Sequence, residues 1–501
     1  MSPASPDIAA FRKILKPEAA LISVPGLFFS SRAGRTLVVE PESASWTVLD
    51  RAPFDFLTKQ GLIRPDARDR SLRTVAELRT RDTSTDWAKT EELLFELFTR
   101  NMLAVDGQTY YQPSRLWSAQ RHPHYFNIHV SESCNLACRY CRVDHGGRDP
   151  MLMKVDVCKR IIRRVLEEIP GEKVIIGFHG GEPLLNAACI AEGAGYAREV
   201  AAALGKKVTL SLQTNGVLLD RHAGLLKELN IEVGVSLDGP ETIHDRYRVL
   251  PSGRGSFGLV VNGLKAARKA GLNPGLLAVV HEPADYLEVA DFMAGRLDAC
   301  SFRLNYSCFE GRAKRELDFE VDRGEAFARG WLQLVDFALE HHRRTKTWLG
   351  IDDLNLFTAH LLTKVRPHMC YRSPCGAGNS ILGFGYDGRI YPCEELVGKA
   401  EFALGTVDAP TPLAELLETS ELNRRLQEER KVENVARCRD CPWKRFHGSG
   451  CLNKSYEYFG ATDFEDPMCR FYRRVFEGLM WRLAENPELV NLTGQYRKYV
   501  T

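Results

Sequence analysis

With 501 residues and a hydrophobic share of 44%, the chain can bury more than one core, and its length suggests about three domains. A formal net charge of +2 shows no basic excess, so the composition does not point to nucleic acid, and the N-terminal Met1-Ser2-Pro3-Ala4-Ser5-Pro6-Asp7 has no basic stretch leading into an apolar run. No apolar segment is long enough to span a bilayer; a soluble, cytoplasmic chain is expected, and there fourteen cysteines argue for metal binding rather than disulfides.

In chain order, 26–31 and 35–40 read as two short strands joined at Arg32-Ala33-Gly34, a hairpin. A helix is expected over 44–60, then a charged segment over 66–86 and a helix over 90–101. The stretch 102–111 reads as a second hairpin about Asp106-Gly107. These elements resemble a small winged helix-turn-helix, but without the basic recognition helix that DNA binding would require. Thr36-Leu37-Val38-Val39-Glu40 is a candidate exposed edge.

From His124 the pattern alternates strand, loop and helix. Strands are expected over 125–130, 173–178, 208–212, 233–237, 276–280 and 302–306. Val155, Cys158, Ile162, Val165 and Ile169 share one helical face, which makes Cys158 a core residue. Such alternation predicts an α/β fold, a parallel sheet covered by helices, with ligands at the C-terminal ends of the strands.

The strand ends carry the chemistry. Ser131-Glu132-Ser133-Cys134-Asn135-Leu136-Ala137-Cys138-Arg139-Tyr140-Cys141 follows the first strand. Thiolates are soft ligands, and three of them in so short a span can hold an iron cluster with one iron left open. Zinc with His145 as fourth ligand is the competing reading. Phe178-His179-Gly180-Gly181-Glu182-Pro183 follows the second strand, with glycines that let backbone approach a ligand and a carboxylate that can accept from an ammonium group. Gln213-Thr214-Asn215-Gly216 and Ser236-Leu237-Asp238-Gly239-Pro240 end the next two, and Arg248 follows His244-Asp245. Turn chemistry alone would also favour Asn-Gly and Asp-Gly-Pro.

A helical connector is expected over 325–342, before a second cysteine set: Cys370, Cys375, Cys393, Cys438, Cys441, Cys451 and Cys469. Gly376, Gly378, Gly448 and Gly450 supply loops that can wrap a cluster; zinc ribbons are the alternative. Cys189, Cys300 and Cys308 match no motif and read as packing residues.

The Cys134-x3-Cys138-x2-Cys141 triplet with Tyr140 before its last cysteine resembles the signature of the radical S-adenosylmethionine (SAM) superfamily. The resemblance implies a partial (βα)6 barrel and a [4Fe-4S] cluster whose open iron binds SAM, which is cleaved to a 5′-deoxyadenosyl radical that abstracts hydrogen from substrate. It implies SAM contacts from Gly180, Gly181, Glu182 and Pro183, from Asn215, Ser236 and Asp238, from Arg248 at the SAM carboxylate, and from Tyr140. The second set is similar to the SPASM extension, which carries two auxiliary [4Fe-4S] clusters. That likeness assigns Cys370, Cys375, Cys393 and Cys451 to the first, and Cys438, Cys441 and Cys469 to the second. His447 stands where the family has a further cysteine; imidazole is a competent ligand, and loss of the second cluster is the other possibility. Glu394 occupies the place where sulfatase-maturing members carry an Asp base, with an exposed loop acid as the plain alternative.

The resemblance divides the chain into a winged-helix-like peptide-recognition domain (1–118), a barrel (119–311), a helical connector (312–365), an auxiliary-cluster domain (366–475) and a helical tail (476–501). It implies an enzyme that crosslinks a ribosomally made precursor peptide, through a carbon-carbon or thioether bond, with reduction by a flavodoxin- or ferredoxin-type donor. The alternatives are formylglycine formation of the anaerobic sulfatase-maturase kind and a non-catalytic iron-sulfur protein that binds peptide or carries electrons.

Overall fold

The computed structural model describes residues 7–63, 73–81, 86–111, 122–142, 150–317, 323–364 and 366–499. His145 and part of the charged 66–86 segment lie outside the described residues. No helix among the described residues is long and apolar enough to cross a membrane.

The N-terminal unit holds six strands: β1 (Ala20–Ser23), β2 (Phe28–Arg32), β3 (Arg35–Glu40), β4 (Ser45–Asp50), β5 (Arg73–Thr74) and β6 (Leu103–Val105). They form two antiparallel sheets, β2-β3-β4 and β5-β1-β6. The expected hairpin turns on Ala33 (φ 49°) and Gly34 (φ 77°), the left-handed pair that a two-residue hairpin loop requires. Two expectations fail here. The 36–40 stretch is no edge, because β3 pairs with β2 on one side and β4 on the other. The helix expected over 44–60 begins only at Arg51 (Arg51–Lys59), because Ser45-Trp46-Thr47-Val48-Leu49 forms β4 against the second side of β3. The 102–111 stretch turns at Asp106 and Gly107 but returns only as a single bridge from Val105 to Gln108, and β6 takes β1 as its strand partner.

Side chains alternate along β3, so the sheet serves two cores. Leu37 and Val39 join the main core with Trp46, while Val38 packs with Leu49, Leu94 and Leu97 in a separate N-terminal core. Trp46 Nε1 donates to the Leu361 carbonyl at 2.8 Å, fixing the unit to the rest of the chain.

The second part of the chain builds one ten-stranded sheet. The expected strands appear as β7 (Tyr125–Ser131), β8 (Lys173–Gly180), β9 (Lys207–Thr214), β10 (Glu232–Ser236), β11 (Gly275–Val280) and β12 (Ser301–Tyr306), all parallel. A short β13 (Gly350–Ile351) extends the β12 side. On the other side, β14 (Ile381–Phe384) pairs in parallel with β7 and is followed by antiparallel β15 (Arg389–Tyr391) and β16 (Gly405–Thr406). The cysteine-rich C-terminal segment is thereby hydrogen-bonded directly to the strand that precedes Cys134. The helix Val155–Glu168 buries Cys158, Ile161, Ile162 and Val165 as the 3.6-residue spacing predicts, and the connector forms helix Gly324–Thr345 against helix Cys469–Glu485.

The register of β7 and β8 shifts between His129 and Ser131, which brings Ser131 opposite Gly180. Gly180 sits at φ 125°, and a Cβ built there would lie 1.9 Å from the Ser131 carbonyl oxygen. Only glycine fits that close approach of two strand ends. Gly180→Ala is therefore expected to destabilise the fold by at least about 2 kcal/mol, read as a lowered thermal midpoint. The exposed Gly195, inside helix Ala187–Ala203 with open space at its Cβ position, gives the opposite sign: Gly195→Ala is expected to stabilise by about 0.5–1 kcal/mol.

Candidate active site

The loop after β7 is fixed by backbone on three sides. Gly181 N donates to Ser131 O at 2.7 Å and Glu182 N to Ser133 O at 2.9 Å. Ala137 N and Arg139 N donate to Val249 O (2.7 Å) and Tyr247 O (2.9 Å). From the loop after β12, Arg312 donates through its backbone N to Cys141 O at 2.8 Å and through Nη1 to Cys138 O at 2.9 Å. Cys134, Cys138 and Cys141 are thus held together with free thiols. Burial pushes Cys134 up to about 12 and Cys138 up to about 11, and the neighbouring thiols add to both shifts. Such thiols ionise only when a bound cation compensates them, which is how metal binding releases protons.

The other strand ends close around this loop. Glu182 is fully buried; its Oε1 accepts from Leu184 N (3.0 Å) and Thr214 Oγ1 (2.7 Å), and its Oε2 from Asn215 N (2.8 Å). Those bonds tie β8 to the end of β9 and leave one lone-pair site on Oε2 for a ligand donor. Pro183 starts the short helix Pro183–Asn186 that Glu182 caps. Asn215 donates to Asn135 Oδ1 at 2.7 Å and to Cys134 Sγ at 3.7 Å, and Ser236 Oγ accepts from Gln213 Nε2 at 3.0 Å.

Asp238 and Arg248 form a buried ion pair, Nε to Oδ2 at 2.9 Å, and Tyr140 donates to the same Oδ2 at 2.6 Å. Burial alone would raise the Asp238 carboxyl, but Arg248, His244, His281 and the tyrosine outweigh it and hold the group below its usual range. The arginine lies 5.2 Å from the Tyr140 ring, and its charge lowers the Cys138 pKa. Gly181, Glu182 and Asn215 therefore bond the cysteine loop directly, Asp238 and Arg248 reach it through Tyr140, and Ser236 meets Gln213. Sequence reasoning missed the supports. His244 Nδ1 accepts from Asp238 N, its Nε2 meets Ser256 Oγ at 2.9 Å, and His281 stacks on Tyr247 at 3.7 Å.

The C-terminal cysteines gather in two groups. Cys370, Cys375, Cys393 and Cys451 form one: burial raises all four, and Cys370 is raised further by Cys451 and Cys375, Cys393 by Cys370 and Cys451. Cys438, Cys441 and Cys469 form the other, where burial and the other two thiols push Cys469 up to about 12. His447 is buried and stacked on Tyr472 at 3.8 Å; burial takes its imidazole down to about 4, and its Nε2 has no protein partner. A neutral imidazole with an unpartnered nitrogen suits metal ligation. Among the described residues no three His, Cys, Asp or Glu side chains converge as a single ion requires. A four-iron cluster instead spreads its thiolates over separate irons, and the three cysteine sets fit that donor chemistry.

Between the first loop and the first auxiliary group lies an acidic array. Arg142 Nη1 donates to Glu395 Oε2 at 2.7 Å and to Glu394 O at 3.2 Å. Burial and then Glu395 push Glu394 up to about 7 against the pull of Arg142 and Arg303; Glu395 itself stays low because Arg142, Lys454, His179 and Lys399 together outweigh its burial. Glu310 is likewise raised to about 7, by burial and Glu395, and accepts from Asn453 Nδ2 at 2.8 Å. Arg142, Glu310, Arg312 and Asn453 were not singled out from sequence. The available signal was Gly311, where a Cβ would lie 2.2 Å from Arg142 O and force the two loops apart.

The family model of the radical SAM superfamily matches residues 128–293, and that of SPASM, an iron-sulfur cluster-binding domain, matches 375–442. These domains imply a SAM-binding [4Fe-4S] cluster and auxiliary clusters. A serine-type anaerobic sulfatase-maturating enzyme of Klebsiella aerogenes is 28% identical over 378 residues, 71% of this chain and 88% of that protein. The fold is shared with anSMEcpe, solved with AdoMet and the Cp18Cys peptide (TM-score 0.63, 23% identity, 75% of this chain, 100% of that one). It is also shared with Streptococcus suis SuiB bound to its precursor peptide SuiA (TM-score 0.51, 14% identity, 90% and 99%). The cysteine triplet at the end of the first parallel strand, the strand-end array around it and the matched C-terminal segment thus give this chain a radical SAM domain followed by a SPASM domain.

Proposed function

We propose that the chain modifies a ribosomally made peptide by radical chemistry and joins two of its residues through a carbon-carbon or thioether bond. The observation that carries this reading is the acidic array of Glu394, Glu395 and Glu310, which lies between the SAM-cluster loop and the first auxiliary cysteine group. Held by Cys134, Cys138 and Cys141 and reduced by a flavodoxin- or ferredoxin-type donor, the cluster with SAM supplies hydrogen-atom abstraction.

The chain's own residues do the rest. Hydrogen abstraction followed by bond formation leaves one electron and one proton to remove. Glu394, kept near neutrality by burial and by Glu395, accepts the proton, and clusters held by the C-terminal cysteines would take the electron. Arg142 holds Glu395 ionised and locks the two loops in register, so the base cannot drift from the abstraction site. The peptide's leading segment adds to a free edge of the N-terminal sheet, β2 or β4, through main-chain hydrogen bonds. A peptide substrate in general is supported by SuiB, which shares this fold over 90% of the chain and was solved bound to its precursor peptide.

Formylglycine formation on a Cys or Ser side chain is the second reading, favoured by likeness to sulfatase-maturating enzymes across 71% of this chain. Anaerobic reconstitution separates the readings. With a peptide encoded beside the gene, the expected product is lighter by about 2 Da per crosslink and carries a new bond between two residues, located by tandem mass spectrometry and unreactive to a hydrazine. Oxidation of Ser to formylglycine removes the same mass but leaves an aldehyde that the hydrazine captures. Turnover confined to sulfatase-type Cys or Ser peptides would favour the second reading.

The triple variant Cys134→Ala, Cys138→Ala, Cys141→Ala is expected to lose 5′-deoxyadenosine formation yet keep its auxiliary iron; continued SAM cleavage would refute the site assignment. Glu394→Gln is expected to lower modified peptide by about 10²-fold while 5′-deoxyadenosine still forms. Equal loss of both products would instead place Glu394 in cluster support.

A further inference from the structure

The barrel interior below the SAM mouth contains a cavity of about 680 Å³, lined among others by Tyr125, Asn127, His179, Ser211, Gln213 and Gly234. Its most unusual member is Asn127 on β7, which is 1% exposed while both its amide nitrogen and its amide oxygen have no protein partner. An unsatisfied buried donor or acceptor is costly, and here one of each stand side by side on one group.

The surrounding strands are shaped to keep that amide in place. Gly177 on β8 lies beneath it: a Cβ there would sit 2.3 Å from Asn127 Oδ1. The same arrangement recurs two strands away, where a Cβ at Gly234 on β10 would sit 2.2 Å from Oε1 of Gln213. Two glycines thus let two carboxamides lie across neighbouring strands. Gln213 Nε2 donates to Ser236 Oγ, which connects this wall to the SAM-contact residues, and His179, with an unpartnered Nδ1, connects it to Arg142 and Glu395. Burial holds His179 neutral, with its pKa lowered to about 4. Tyr125 is hydrogen-bonded to Ser211, and the charged residues on the lining are Lys227, Glu232 and Asp352.

We propose that this cavity is a subsite for an uncharged carboxamide side chain, Asn or Gln, of the peptide substrate, bound through a reciprocal pair of hydrogen bonds with the Asn127 amide. Another carboxamide presents a donor and an acceptor at matching separation, so one ligand group satisfies both atoms of Asn127. A carboxylate would leave the Asn127 oxygen facing an acceptor. An aliphatic side chain would leave both amide atoms unpaired, the condition that gives polar sites their strongest discrimination. The proposal rests on the peptide-modification reading for its biological meaning, but not for its test.

The test is calorimetric binding of three capped amino acids to the reconstituted full chain: Nα-acetyl-glutamine amide, Nα-acetyl-glutamate amide and Nα-acetyl-leucine amide. The glutamine derivative is expected to bind at least about tenfold more tightly than either other. Asn127→Leu is expected to remove that preference. Gly177→Ala, whose added methyl displaces the Asn127 amide, is expected to do the same. Equal binding of the three probes by the unaltered protein, no measurable binding of the glutamine derivative, or a preference that survives both substitutions overturns the proposal. Because no SAM cleavage is read, failure here leaves the peptide-modification reading intact. A glutamine preference in a protein that modifies no peptide would fail that reading alone.

Discussion

The contact between the ends of β7 and β8 is the constraint on which the active site depends. Gly180 brings its backbone against Ser131, the Gly181 and Glu182 amides bond to Ser131 and Ser133, and the cysteine loop leaves from that anchor. A loop of thiols cannot hold itself in place, since its residues have little apolar surface to bury. Backbone hydrogen bonds from neighbouring strand ends give it one conformation before any ligand arrives, and so lower the ordering cost of binding.

The same economy governs the charges. A buried pair such as Asp238 and Arg248 gives little net stability, because desolvation offsets the attraction. What it provides is orientation. Asp238 is fixed by Val279 N and Tyr140 as well as by the arginine, and His244 bonds both to Asp238 N and to Ser256, whose hydroxyl donates to Arg248 O. The acidic array is built differently. Arg142 takes one carboxylate, Glu395, and Glu394 and Glu310 are left with raised affinities for a proton. Two carboxylates near neutrality beside one that stays ionised are suited to accepting and passing protons.

Three parts of the chain meet by different physics. The cysteine-rich segment is stitched to the barrel by the β14 and β7 ladder, so its first auxiliary group inherits the rigidity of the sheet. Arg430, fully buried, gathers the loops around Cys451 by donating to the carbonyls of Thr462, Phe464 and Gly450. The N-terminal unit docks through one face of its β2-β3-β4 sheet. Trp46 donates to Leu361 O, Lys364 Nζ reaches the Ser43 and Ala44 carbonyls, and Glu42 pairs with Lys444 and Arg445. The N-terminal unit is thereby tied at once to the barrel side and to the C-terminal cysteine-rich segment.

Local pattern determined a good deal of this protein. The six parallel strands fall within a few residues of where hydrophobic periodicity puts them, because strands buried on a covered sheet must be apolar wherever they lie. Cys158 is in the core, as its helical face requires, and the strand-end motifs cluster because a parallel sheet gathers its C-terminal ends at one mouth. Tertiary structure decided the rest. Residues 45–50, whose Trp46, Thr47 and Val48 favour a strand, pair with the second side of β3, and 36–40 thereby became the centre of a sheet. Both pairings are hairpins between consecutive strands, but how many strands join the sheet, and so which one lies at its centre, is settled by the two cores it packs between. Arg142, Glu310, Arg312 and Asn453 are ordinary polar residues in the chain and acquire roles only where the loop after β12 meets the cysteine loop and the auxiliary domain. Asn127 reads as one polar residue in an apolar strand; the two glycines that make room for amides across the barrel lie on other strands, and only folding brings them into register.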